Sequence, residues 1–192
     1  MQKQKKLGAN AILNVFKTSL SILFPLITYP YALRTLGSES IGKVSFGNSI
    51  VNYFMLLAML GISTYAVREG ARYRENREKL EAFASEVFTI NIFCAIISYV
   101  LLISFLLISN RLYDYRLLII LESISIIFTV FGVEWINTIY EDYLLITVRS
   151  VFIQLFSMSL LFLTVKTAGD YYKYAFITVL CNGIICVVNL IH

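Results

Sequence analysis

Apolar residues run along the chain in blocks about 20 residues long, the length that carries a helix across a bilayer. Short polar clusters separate one block from the next. The pattern predicts six membrane-spanning helices, over roughly 9–33, 43–67, 83–109, 117–140, 144–166 and 172–191. Connections are short apart from "REGARYRENREKLE", Arg68 to Glu81. Inside the blocks the polar residues fall on helical lines. Asn10, Asn14, Lys17, Ser21 and Thr28 recur along one face of the first span, with Pro25 on the same line. Ser45, Asn48 and Asn52 do so in the second. Glu122, Ser125 and Thr129, then Glu134, Asn137 and Glu141, follow in the fourth. Thr147, Ser150, Gln154 and Ser157 mark the fifth, and Thr178, Asn182 and Asn189 the sixth. Two uses fit such stripes. They line a water-filled cavity, or they form interhelical contacts worth about 0.6 kcal/mol each.

Composition removes the soluble alternatives. The chain is 58% hydrophobic, with a mean hydropathy of +0.76 and 15% charged residues, where soluble domains carry about 25%. The fold class is therefore all-α, a polytopic membrane protein with a single transmembrane domain over residues 1–192. The net charge of +4 reads as membrane topology and not as nucleic-acid binding, because the basic residues sit between apolar blocks. Lys3, Lys5, Lys6, Arg68, Arg72, Arg74, Arg77 and Lys79 fall on the side of the N-terminus. Arg34, Lys43, Arg111, Arg116, Lys166 and Lys173 fall on the other side. The denser clusters place the N-terminus in the cytoplasm. The basic start, "MQKQKKLGAN", leads into an apolar stretch too long for a signal peptide and is expected to be retained. After the last span, "NGIICVVNLIH" has no charged tail, which suggests that another segment follows.

The residues give little support to catalysis. Cys94, Cys181 and Cys186 lie in apolar blocks without a CxxC pair, and His192 is the one histidine. No metal site or cofactor is expected. HExxH, GxSxG and P-loop motifs are absent, and no Ser/His/Asp set exists. No enzymatic activity is predicted. Ionisable groups within the spans carry more weight, because each costs about 2.5–3.5 kcal/mol at mid-helix. Lys17 lies about 12 Å into the first span at 1.5 Å per residue. Glu122 and Glu134 lie in the fourth span. Arg149 lies near the start of the fifth, where substrate contact competes with snorkelling to the interface. Glu86 suits the N-terminus of the third helix. Pro25 and Pro30, the only prolines, predict a kink in the first helix. Arg34 and Gly37 then read as its outer end.

The string "FPLITYPYALRTLGSESIGKVSFGNSIVNYFMLLAMLGISTYAVREGAR" resembles the N-terminal signature of the polysaccharide-biosynthesis flippases. These belong to the multidrug/oligosaccharidyl-lipid/polysaccharide (MOP) superfamily. The resemblance rests on Pro-Tyr in the first span, Arg34-Thr35-Leu36-Gly37, Gly42, Asn48, and Gly61 ahead of the basic run from Arg68. "EKLEAFASEVFTINI", "FTVFGVEWINTIYEDYLLITVRS" and "LFLTVKTAGDYYKYA" extend it over nearly the whole chain. It implies two six-helix lobes around a cavity that opens alternately to each leaflet. This chain would be the N-terminal lobe of a longer protein, with the C-terminal lobe missing.

The implied activity is movement of polyprenyl-pyrophosphate-linked oligosaccharide, an O-antigen or capsular repeat unit, across the bacterial cytoplasmic (inner) membrane. On that reading Lys17, Arg34 and Arg68 meet the pyrophosphate. Asn14, Asn48, Asn52 and Gln154 meet the sugars. Glu122 and Glu134 are candidates for ion coupling, and Pro25 and Pro30 for a hinge. Implied partners are the lipid-linked oligosaccharide, membrane lipid, a polysaccharide polymerase and glycosyltransferases. Two alternatives stay open: a cation-coupled drug exporter of the same superfamily, and a non-transporting scaffold of a glycan-assembly complex.

Overall fold

The computed structural model describes residues 2–140 and 143–191, with the side chains of 2–12, 134, 143–145, 190 and 191 outside the description. Seven α-helices are found among the described residues: α1 (Gln2–Met59), α2 (Ile62–Gly70), α3 (Arg77–Ile108), α4 (Arg116–Phe131), α5 (Glu134–Ile139), α6 (Tyr143–Thr164) and α7 (Tyr171–Ile191). No strand occurs among the described residues. This is what a bilayer demands, since a helix satisfies its own backbone hydrogen bonds where no water is available. Among the described residues, five helical stretches are long and apolar enough to cross a membrane: Leu13–Tyr73, Arg77–Ile108, Asn110–Ile139, Ile146–Thr164 and Ala168–Asn189.

The first of these stretches is 61 residues long, about 90 Å at 1.5 Å per residue and about three times what one crossing needs. It doubles back at Gly37, whose φ of 79° and ψ of 164° leave the helical region. That region is open essentially to glycine alone. Contacts establish the reversal. On the N-terminal arm, Thr147 donates from Oγ1 to the Leu13 carbonyl (3.4 Å), and the Tyr31 hydroxyl donates to the Val165 carbonyl (2.9 Å). The arm is therefore parallel to α6. On the C-terminal arm, Ser40 Oγ donates to the Ala168 carbonyl (3.0 Å), beside the Gly37 turn. Further along, Gly47 faces Leu118 and Glu122, and Met55 meets Thr129, so this arm is parallel to α4. The α4–α7 pair is parallel, with Phe128 at Gly183 and Gly132 at Asn189. Six passes result, with Leu13, Met59, Gly132 and Asn189 at one end (the N-terminal end) and Gly37 and Ala168 at the other.

Two of the expected spans are not continuous. The second starts at the Gly37 turn and breaks at Leu60–Gly61 (φ 41° and 71°) before α2 resumes. The fourth breaks at Gly132–Val133, where Val133 takes φ 35° and ψ 34°. That conformation is unusual for a β-branched residue. Both breaks fall at the N-terminal end. The two prolines behave otherwise: α1 keeps helical torsions through Pro25 and Pro30, and its single departure is Gly37.

Packing divides the core. Ala32, Leu36 and Ile41 pack with Leu161, Val165 and Ile177 around the Gly37 turn. Val51 and Ala58 pack with Leu102, Ile119 and Ile126 in the middle. Ala66, Leu80, Val87, Trp135 and Ile139 form a third cluster that joins α2 and α5 to the start of α3. Between helices in lipid, small residues and hydrogen bonds supply much of the specificity. Ser98 Oγ donates to the Phe54 carbonyl, and the Tyr99 hydroxyl to that of Ser123, each at 2.5 Å. Large apolar residues such as Ile108, Phe152 and Tyr53, exposed at 82%, 74% and 72%, face outward, as lipid-facing positions should.

Candidate functional site

The two broken helices create a cavity. Where α2 leaves the line of α1, and α5 that of α4, a space of about 660 Å³ opens between α2, α3, α4, α5 and α7. Its far wall is braced by close α2–α5 packing. A Cβ on Gly70 would collide with Ile139, and Trp135 meets Phe83 edge-on at 6.4 Å between ring centroids.

The lining is apolar over much of its area, with polar groups at chosen points. Ser63 and Thr64 bring the first turn of α2 to the wall, where the partial positive end of the helix lies. Arg68, one turn further on, is exposed and contributes a guanidinium. Asn91, Trp135 and Asn189 are buried, at 2%, 6% and 7% exposure, and also line the space. Each has a polar atom without a hydrogen-bond partner among the described residues: Asn91 Oδ1, Trp135 Nε1 and Asn189 Nδ2. A buried group left unsatisfied costs about 1–3 kcal/mol, so three around one cavity set it apart from ordinary helix packing.

The orientation of Asn189 is fixed by its neighbours. Its Oδ1 accepts from Asn137 Nδ2 at 2.9 Å and from Arg149 Nη1. A carbonyl holding two donors cannot exchange places with the amide nitrogen, so the NH₂ group is the half of the amide left without a partner. Arg149 is 7% exposed. The snorkelling reading is therefore replaced by a buried role, because Asn189 gives the guanidinium a partner inside the bundle.

The expected site residues are spread over the lobe. Arg68 is on the cavity wall. Gln154 and Pro25 line a second, smaller space of about 250 Å³ between the N-terminal arm, α6 and α7, with Ser21, Thr28 and Cys181. Asn48 and Asn52 pair with each other, Asn52 Nδ2 donating to Asn48 Oδ1 at 2.7 Å. Asn14 and Pro30 are exposed on the N-terminal arm, and Lys17 is half-buried there. Arg34 is exposed near Gly37, at the opposite end of the bundle from Arg68. Glu122 is 3% exposed, and its Oε2 has no partner among the described residues. That oxygen lies 2.9 Å from where a Cβ on Gly47 would sit, so the glycine makes room for the carboxyl. The side chain of Glu134 and all of Glu141 lie outside the described residues. Among the described residues no cluster of His, Cys, Asp or Glu could hold a metal ion.

Asn91 was not expected, because it is an isolated asparagine in a span with no polar stripe. Trp135 was hidden by its type, since an indole counts as apolar in a hydropathy pattern while its N–H still needs a partner.

Comparison with known proteins decides what this bundle is. Residues 7–191 match the family described as polysaccharide biosynthesis protein. The chain belongs to that family. A "Putative O-antigen transporter" of Escherichia coli (strain K12) is 24% identical over 173 residues, covering 88% of this chain and 42% of the relative. The chain thus spans less than half the length of the curated relative it matches. No solved structure matches.

Proposed function

We propose that the chain is one lobe of a flippase for polyprenyl-pyrophosphate-linked oligosaccharide repeat units, O-antigen or capsular. It would act by alternating access in the bacterial cytoplasmic membrane, with the N-terminus in the cytoplasm. The observation that carries the reading is the cavity at the two helix breaks, with Arg68, the α2 N-terminus and three unpaired buried polar groups in its wall. Broken helices whose ends face a polar cavity are how membrane proteins place backbone polarity next to a hydrophilic cargo. Family membership and the named role of the Escherichia coli relative support the same class of cargo.

In this reading a C-terminal lobe completes the path, and a polymerase and glycosyltransferases act before and after it. The basic residues Lys17, Arg34 and Arg68 meet the pyrophosphate at successive depths. Asn14, Asn48, Asn52 and Gln154 meet sugars along the path between the lobes, and Glu122 and Glu134 couple an ion to the cycle. Pro25 and Pro30 flex the N-terminal arm. The test is complementation of a flippase-null strain with the full-length gene product, scored by surface glycan. Wild type should restore glycan. Lys17→Ala should restore about tenfold less, the effect of losing one charge-assisted contact, while membrane levels stay unchanged. Drug resistance without surface glycan would reject the reading.

A further inference from the structure

Leu60 and Val133 are the two residues other than glycine that take positive φ among the described residues, at 41° and 35°. Each sits at a helix break, and both breaks fall at the N-terminal end of the bundle. A side chain in this region is disfavoured against the helical torsions on either side, so each broken helix needs other contacts to hold it. For α2 and α5 much of that hold is mutual. Ala66, Trp135 and Ile139 share one buried cluster, and Gly70 leaves room for Ile139. Arg74, just beyond α2, donates from Nη2 to the Tyr140 carbonyl at 2.8 Å. α5 packs mainly on α2 and more lightly on α6 and α7.

One polar point ties α5 across to both of those helices. Asn189 Oδ1, on α7, accepts from Asn137 Nδ2 of α5 at 2.9 Å and from Arg149 Nη1 of α6. All three side chains are buried. Asn189 also stands beside the break in α4, with Nδ2 3.8 Å from where a Cβ on Gly132 would sit. Buried hydrogen-bonding groups are costly to leave unmade, so this contact weighs against any movement of α5 away from α7.

We propose that α2 and α5 form one gate, which swings as a unit about Leu60–Gly61 and Gly132–Val133, and that the contact of Asn137 and Arg149 with Asn189 is its catch. With the catch made, both helices stay broken and the space of about 660 Å³ stays open behind them. With the catch released, Leu60 and Val133 relax toward helical torsions, α2 and α5 turn toward the lines of α1 and α4, and the space closes. Arg149 is then a positioning residue that acts on α5 through Asn189. The proposal rests on the breaks and the contact, and not on the cargo assigned above.

Trp135 is the only tryptophan in the chain and is buried on α5, so its quenching by acrylamide reads the gate. In lipid nanodiscs, Asn137→Leu frees α5 while leaving Arg149 on Asn189. Trp135 should become more readily quenched. Amide exchange should quicken about tenfold in 62–70 and 134–139 together, the effect of one hydrogen bond. Exchange around the Gly37 turn, in 161–177, should match wild type, which shows that the variant is folded. Where the leucine variant is not recovered, Asn137→Ser, with its shorter side chain, gives the same readings. Arg149→Met should also raise quenching, and Arg149→Lys, which keeps a donor, should raise it less.

Val133→Gly separates a catch from ordinary packing. Glycine takes positive φ without strain, so adding it to Asn137→Leu should restore the shielding of Trp135, whereas a merely loosened helix would loosen further. Unchanged quenching in Asn137→Leu overturns the catch. Faster exchange in 134–139 with 62–70 unchanged overturns the single gate. Quenching in the double variant equal to or greater than in Asn137→Leu overturns the swing and leaves the contact purely structural. Failed complementation with all of these readings as expected would remove the transport reading and leave the catch standing.

Discussion

Gly37 and Gly61 interrupt helices with similar means and opposite results. Both take positive φ, at 79° and 71°, and at both an added Cβ would meet nothing within 4 Å. At Gly37 the chain reverses, and polar groups near the turn find partners across it. Ser40 bonds to the Ala168 carbonyl, and Tyr31 to that of Val165. Asp170 accepts from the Lys166 and Thr167 amides and pairs with Lys173 at 2.6 Å. At Gly61 the chain goes on into α2, and the space beside the break holds Asn91, Trp135 and Asn189 with atoms unpaired. A helix break is structural where the neighbouring groups satisfy one another. Where buried polar atoms stay unpaired beside a cavity, the break is the place to look for a ligand.

The largest effect should come from Gly37→Val. With no neighbour in the way of a Cβ, the cost is torsional, about 1–3 kcal/mol for a side chain forced into this region. It falls on the turn that sets α1's two arms side by side. A large fall in folded protein, read by thermal unfolding in detergent, is expected, and surface glycan should fall in proportion to protein level. A variant that folds and melts like wild type would show that the reversal does not depend on the glycine torsion.

Gly61→Ala should cost less, about 1–2 kcal/mol for an L-residue held in the left-handed region. Its sharper consequence is functional. The alanine favours helical torsions at 61 and so biases α2 toward the line of α1, closing the cavity. Glycan export per folded molecule should fall more than stability does, the reverse of the proportion expected at Gly37. Export that tracks protein level at both positions would remove the distinction between the two breaks.

Much of this architecture is legible in residue order, for a physical reason. Lipid requires continuous apolar blocks of fixed length, so the six passes and the Gly37 turn can be read directly. The breaks at Leu60–Gly61 and Gly132–Val133 are harder, because the apolar pattern runs across them unchanged. Val133 carries positive φ with no glycine at that position to announce it. The cavity was hidden for a different reason. Its polar groups come from α2, α3, α4, α5 and α7, and a stripe on one helix shows a shared face without showing what that face meets. The stripe of Asn14, Lys17 and Ser21 therefore read as clearly as any, yet Asn14 and Ser21 are exposed on the lobe. Asn91, alone in its span, is the most buried polar side chain of the cavity wall.

The smallest effect tests the structural side of the comparison. Thr167 opens the short turn into α7 through a capping box, with its hydroxyl 2.9 Å from Asp170 Oδ2. Thr167→Ala removes that hydroxyl but leaves the two backbone amides on the carboxylate. The loss should be about 0.5 kcal/mol, the low end for a cap in an exposed position. In the Thr167 turn the hydroxyl and the two backbone amides all bond to Asp170, so export per folded molecule should not change. Equal export at slightly reduced melting temperature separates a turn that only holds helices together from a break that also handles cargo. If Thr167→Ala reduces export per molecule as Gly61→Ala does, cargo passage depends on both ends of the lobe, and satisfied hydrogen bonding is not what distinguishes them.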